Sequence, residues 1–201
     1  YSVKPSVFPV ALLEAADAMK MIREHAAEWH VDPEAIAVIG FSAGGHLAAN
    51  LATSASDDVL AAHGYDPDAV RPNGLMLAYP VITSGPLAHR GSFDSLLGER
   101  RNDTETLESV SIEHHIDTKT PPVFVWHTVP DEVVPYENTL MLIDACKKAG
   151  VSVEAHLFPQ GGHGLSLGIA ETAGQGIDGS EPSMQIWTQL AVAWMRRTFA
   201  R

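Results

Sequence analysis

The chain is short of cysteine, of positive charge and of long apolar runs, and each shortage closes off a class of protein. Among 201 residues there is one cysteine, Cys146. No internal disulfide can form, so the fold does not depend on an oxidising compartment. Lysine and arginine number 13 against 25 aspartates and glutamates, a formal net charge of −12. Nucleic acid and anionic membrane surfaces repel such a chain, so neither is expected as a partner, and strongly anionic substrates are disfavoured. No apolar stretch approaches the roughly 20 residues of a membrane-spanning helix, and no leader peptide is recognisable. The cytoplasm is therefore favoured over secretion, which stays open because the first residues read as falling inside a domain. Internal repeats and low-complexity tracts are missing too. What is present is 45% hydrophobic and 19% charged, ordinary for one globular domain that buries roughly 70% of its unfolded surface.

The rest of the chain is organised around Ile36–Asn50. The apolar run Ala35–Ile39 predicts a strand buried on both faces. It leads into Gly40-Phe41-Ser42-Ala43-Gly44, a Gly-x-Ser-x-Gly pattern, and then Leu47, Ala48 and Leu51 open a helix. A strand, a sharp turn and a helix are the setting of a nucleophile elbow. Gly40 and Gly44 are expected where a side chain would collide across the turn. The backbone N–H of Ala43, at the helix start, is placed to donate to a developing oxyanion. The bland alternative is a strand–helix turn with a capping serine.

Before the elbow, Leu12, Ala15, Ala16, Met19 and Ile22 predict a helix over Val10–Ala27. After it, Ser54–Pro72 carries four aspartates and reads as a solvated loop. Gly74–Val81 is a second buried strand. The segment 83–120 is too long for a plain connection. It reads as a cap-like excursion over the strand ends with one or two short helices, or else as a surface crossover. Pro122–Val129 is a third strand, Tyr136–Ala149 a helix closed by Gly150, and Val151–Phe158 a fourth strand. A glycine-rich loop, Gly161-Gly162-His163-Gly164, follows, then the loose stretch 165–182 and a closing amphipathic helix over Ser183–Phe199. Strands alternating with helices predict an α/β three-layer sandwich around a mainly parallel sheet. In such sheets chemistry gathers at the carboxyl ends of strands, and Ser42, Asp131 and His163 each follow one.

A serine hydroxyl needs a base within hydrogen-bond reach, and that base needs an orienting group. The order Ser42, Asp131, His163 is the one expected after an elbow of this kind. His163 is the best base among ten histidines, because the glycines around it let its loop turn back over the sheet. Asp131 would fix its tautomer, with Glu132 as the competing carboxylate. His127 is read as bonding backbone at a strand end, and His46 as packed beneath the elbow. His114-His115 has no Cys/His/Asp spacing to make a metal site, and no phosphate-cradling glycine loop is present.

Five blocks in this chain, Gly-Phe-Ser-Ala-Gly-Gly-His-Leu-Ala (40–48), Phe-Asp-Ser-Leu-Leu-Gly (93–98), Pro-Pro-Val-Phe-Val-Trp-His-Thr (121–128), Asp-Glu-Val-Val-Pro (131–135) and Phe-Pro-Gln-Gly-Gly-His-Gly (158–164), resemble the bacterial esterase/lipase group of α/β-hydrolases that includes acetyl esterases and acetylxylan/feruloyl esterases. The resemblance spans nearly the whole chain. It implies hydrolysis of small-molecule, short acyl esters, acetylated sugars among them, without a cofactor. Carried over by motif, Ser42 is the nucleophile, Asp131 the acid and His163 the base. One departure stands out: nothing matches the upstream His-Gly-Gly segment that completes the oxyanion hole in that group. The expectation is that the domain is N-terminally truncated and residues 1–201 are the C-terminal portion of the fold, with the elbow strand left at an unpaired, apolar edge. A longer gene product, a separate chain or a partner copy in a homo-oligomer would each supply what is missing. Two other functions remain beside a serine esterase: a serine peptidase of the same fold, and a catalytically silent domain used for binding.

Overall fold

A computed structural model describes residues 7–172 and 181–200. Four strands, β1 (Ala37–Phe41), β2 (Gly74–Ala78), β3 (Val123–Thr128) and β4 (Val153–Phe158), lie in the order β1-β2-β3-β4, with every neighbouring pair parallel. Parallel neighbours need crossovers, and helices make them. Between β1 and β2 run α2 (Ala43–Ala52), α3 (Asp57–Ala62) and α4 (Pro67–Val70), and between β3 and β4 runs α7 (Glu137–Ala149). The first helix, α1 (Val10–Glu24), precedes the sheet and the last, α8 (Trp187–Thr198), follows it.

The alternation of strand side chains sorts the core into two faces. Leu75, Leu77, Val123 and Val125 pack with Ala48, Ala49 and Ala52 of α2 and Leu142 and Cys146 of α7. Met76, Ala78, Phe124 and Trp126 point the other way, onto Trp187, Ala191 and Trp194 of α8. Every residue of β2 and β3 is buried, which is why both read as unbroken apolar runs. Each large side chain taken out of water there contributes roughly 1.5–3 kcal/mol. Behind α2, α1 packs Leu12, Ala16 and Met19 against Leu51, Leu60 and Val70. Gly150 closes α7 at φ +73°, with the Val151 N–H returning to the Cys146 carbonyl at 2.9 Å.

Two expectations are corrected. β1 is not buried on both faces. It pairs with β2 and forms an edge of the sheet described, and Ile39 is 44% exposed. The α8 cluster reaches Ala37 and Phe41 but leaves Ile39 uncovered. Nor is Ser54–Pro72 a solvated loop. Asp57 and Asp58 sit in the first turn of α3, where the helix dipole favours them. Asp66 caps α4 by accepting the Asp68 N–H at 3.1 Å, with Pro67 in the first turn. Leu60 and Val70 are then buried, and Arg71 pairs with Asp57 at 2.7 Å.

The 83–120 segment does hold two short helices, α5 (Arg90–Leu97) and α6 (Thr104–Ser109). Phe93, Leu97 and Val110 cluster with Val81 and Val134, which follow β2 and β3. The segment therefore rests against the carboxyl end of the sheet. Part of the loose stretch 165–182 lies outside the described residues.

Candidate active site

The elbow is built from strain and the absence of side chains. β1 ends at Phe41, and Ser42 takes φ +53°, ψ −121°, a region that side chains disfavour. It is held there from both sides: the Ser42 N–H donates to the Ala78 carbonyl at 3.0 Å, and the Ser42 carbonyl accepts the Val81 N–H at 3.2 Å. A Cβ on Gly40 would lie 2.2 Å from the Gly44 carbonyl oxygen, so the two glycines meet across the turn. Gly45 is constrained as well, though less severely: a Cβ there would come within 2.9 Å of Pro80 Cβ. Ala43 is the first residue of α2, where backbone N–H groups have no intrahelical acceptor and the helix end is positive.

The Gly161–Gly164 loop returns His163 to this serine. His163 Nε2 is 2.7 Å from Ser42 Oγ. Gly161 and Gly164 have φ of +97° and +79°, a conformation that glycine adopts freely. Gly162 is under no such demand, since a Cβ there would meet nothing within 4 Å. Two neighbouring strands anchor the loop. Thr128, at the end of β3, donates from its hydroxyl to the Gly162 carbonyl at 3.1 Å. Tyr79, just past β2, sets its ring edge-on to His163 with centroids 4.9 Å apart, and its hydroxyl accepts the Ser166 N–H at 3.0 Å. The apolar run Gly74–Val81 predicts strand at Tyr79; it sits instead at φ +39°, just past Ala78. Its place at a strand's carboxyl end was the signal available for it. Burial pushes its phenol up from the usual tyrosine range.

His163 Nδ1 meets Asp131 Oδ2 at 2.7 Å, whereas Glu132 stays exposed. The other oxygen, Oδ1, accepts the N–H groups of Val133 and Val134, both at 2.9 Å. Burial opposes the charge on Asp131. Hydrogen bonds from His127, His163 and the Val134 N–H, with the charge of His163, outweigh it and hold this carboxyl well below the usual carboxylate range. His127 does bond backbone, at the Val134 carbonyl, and it also reaches Asp131, which the sequence did not reveal. His46 lies away from this group: it donates from Nε2 to the Val110 carbonyl at 2.8 Å and ties α2 to the 83–120 segment. Burial pushes His46 below the usual histidine range.

Beside the elbow is a largely apolar cavity of about 370 Å³. Phe8, Leu12, Ala43, His46, Leu47 and Phe93 are among its walls. It reaches Ala43, the residue after Ser42.

A parallel sheet flanked by helices, with an elbow serine after one strand and a histidine loop after another, is the arrangement of an α/β-hydrolase. The BD-FAE family model matches residues 2–145. Endo-1,4-beta-xylanase B of Butyrivibrio fibrisolvens is 35% identical over 174 residues, covering 87% of this chain and 27% of that protein. Acetylxylan esterase of Xylanibacter ruminicola is 28% identical over 159 residues, covering 77% and 31%. The crystal structure of an acetyl ester-xyloside bifunctional hydrolase from Caldicellulosiruptor lactoaceticus superposes with a TM-score of 0.82 at 37% identity, over 98% of this chain and 69% of that one. The chain belongs to the BD-FAE family. It spans about a third or less of the length of the two curated relatives named here.

Proposed function

We propose that this chain carries the site of a serine-dependent carboxylic ester hydrolase acting on short acyl esters, acetylated carbohydrates among them. The observation that carries the reading is the unbroken hydrogen-bond line from Ser42 Oγ through His163 to Asp131, 2.7 Å at each step. Two of the relatives are named for ester cleavage, an acetylxylan esterase and an acetyl ester-xyloside hydrolase, which supports the acetyl and sugar parts.

Ser42 gives its proton to His163 Nε2 as its oxygen attacks the ester carbonyl carbon. The carbonyl oxygen becomes an oxyanion facing the Ala43 N–H. Asp131 stabilises the imidazolium through Nδ1. Collapse expels the alcohol, which takes the proton from His163, and leaves an acyl group on Ser42. Water then attacks the acyl carbon, giving its proton to His163, which returns it to Ser42 Oγ as the acid is released. The apolar cavity beside Ala43 offers room for the acyl group or the alcohol.

Hydrolysis of p-nitrophenyl acetate by the parent and by Ser42→Ala tests this, with circular dichroism confirming that both are folded. Turnover lost in Ser42→Ala is expected, together with fluorophosphonate labelling of Ser42 in the parent. A folded parent whose Ser42 is not labelled would favour a silent binding domain.

A further inference from the structure

We propose that His127 is a positioning residue for Asp131, completing a five-member line of Thr139, His127, Asp131, His163 and Ser42. The inference rests on the esterase reading of the last three.

His127 is the penultimate residue of β3 and has no exposed surface. Its Nε2 faces two acceptors, the Val134 carbonyl at 3.0 Å and Asp131 Oδ2 at 3.3 Å. A carbonyl oxygen only accepts, so Nε2 carries a proton. An unprotonated Nε2 would set its lone pair against two buried oxygens. Nδ1 lies 2.8 Å from Thr139 Oγ1 on α7, and that hydroxyl supplies the complementary donor. The ring is thus fixed in one tautomer, by α7 on one side and by the Asp131 turn on the other.

The consequence falls on the carboxylate. An ionised carboxylate offers about four lone-pair sites. Oδ1 uses two on the Val133 and Val134 N–H groups, and Oδ2 uses one on His163 and faces the His127 Nε2–H at 3.3 Å. Three are hydrogen-bonded, and the fourth meets an N–H that it shares with the Val134 carbonyl. A carboxylate this well supplied with donors gains little by taking the Nδ1 proton of His163, so the imidazolium formed when Nε2 takes the Ser42 proton persists until the departing alcohol needs that proton. The same contacts refer Asp131 to β3, a buried strand, rather than to the turn that bears it. The other titratable groups beside the line are Tyr79, edge-on to His163, and Glu181, whose stem passes Gly161 while its carboxylate bonds Ser183.

The tautomer is read directly in the parent by NMR of protein labelled with ¹⁵N-histidine. His127 protonated on Nε2 is expected; a proton on Nδ1 with Nε2 bare overturns the proposal. Two variants then test the role. H127N keeps a group that reaches Thr139 but falls short of Asp131, whereas H127Q puts an amide N–H near the position of Nε2. In H127N, kcat falls about ten- to a hundredfold with KM within about twofold, short of the roughly 10⁴ loss seen when the wrong atom faces the histidine itself. The His163 Nδ1–H resonance moves or broadens, and H127Q restores most of both. Parent-like kcat and resonance in H127N overturn the proposal, as does an equal loss in both variants with a risen KM. Ser42→Ala run alongside separates the two readings. Activity that survives it removes the esterase reading, whereas activity lost there but kept in H127N removes only this one.

Discussion

Gly40→Ala is the sharpest test of how the elbow is held. The added Cβ would lie 2.2 Å from the Gly44 carbonyl oxygen and 2.7 Å from Gly45 Cα. Both are backbone atoms of the first turn of α2, so no change of rotamer relieves the contact. Comfortable separation is about 3.5 Å. The turn must therefore move by roughly an ångström, and Ser42 moves with it. The Ser42–His163 bond of 2.7 Å and the bond from Ser42 N–H to Ala78 at 3.0 Å have no slack of that size. A misplacement of about 1 Å costs about 10²-fold in rate. The overpacking costs about 1–3 kcal/mol of stability, or about 2–12 °C in Tm for a chain of this length. The rate of fluorophosphonate labelling at Ser42 reads the first effect, and thermal melting followed by circular dichroism reads the second. Gly162→Ala is the control, because nothing lies within 4 Å of the added carbon; its stability should stay within about 0.5 kcal/mol of the parent. A Gly40→Ala protein that melts and labels like the parent would refute the steric account of the elbow.

Asp131→Asn should lower kcat by up to about 10⁴, since an amide N–H in place of Oδ2 would face His163 Nδ1 and reverse its tautomer. Because Asp131 is held below the usual carboxylate range, its contribution to stability is fully present above the unfolded value of about 3.9 and is lost as pH falls below that. Denaturant unfolding of parent and variant should show a gap at neutral pH that narrows below about pH 4. Burial pushes the Cys146 thiol up to about 12. Thiol reagents should leave it untouched in the folded protein, and stability should decline as pH rises from about 8.5, where only the unfolded thiol ionises; labelling at neutral pH without denaturant would contradict this. Gly91 lines the cavity beside Ala43, and a Cβ there meets no more than the His89 ring at 3.5 Å. Gly91→Leu should narrow the cavity and lower turnover of p-nitrophenyl hexanoate relative to acetate by about tenfold, and an unchanged ratio would place the acyl group elsewhere.

Legibility in the sequence followed burial. β2 and β3 are enclosed on both faces, so their apolar runs had a single reading. Ser42 and His163 each sat in a glycine pattern whose backbone demands are local, and the structure puts positive φ at Ser42, Gly161 and Gly164. Neighbours set by the fold were hidden. An apolar edge at the elbow strand is expected from the sequence and β1 does form an edge of the sheet described, but which side chain that edge leaves exposed, Ile39, an apolar run does not encode. The aspartates of 57–68 resembled solvation because charge on a surface and charge capping a helix look alike until the Asp66-Pro67 start is recognised. His127 and Asp131 stand four apart in the chain, and the turn between them alone decides that they touch.

The positions that hold the site come mainly from the two central strands, although the reacting groups do not. Ser42 and His163 follow the outer strands β1 and β4. The Ser42 N–H is fixed by the Ala78 carbonyl of β2, the His163 loop by Tyr79 beyond β2 and Thr128 of β3, and Asp131 by His127 of β3. A buried strand is packed on both faces and moves least. Anchoring the elbow and the histidine loop to β2 and β3 gives them one common reference, so motion of an edge need not change the distance between Ser42 and His163. It also accounts for the two polar residues, His127 and Thr128, that close the otherwise apolar β3. At that end of the strand they cost little in packing, and each reaches a group of the site lying just above it.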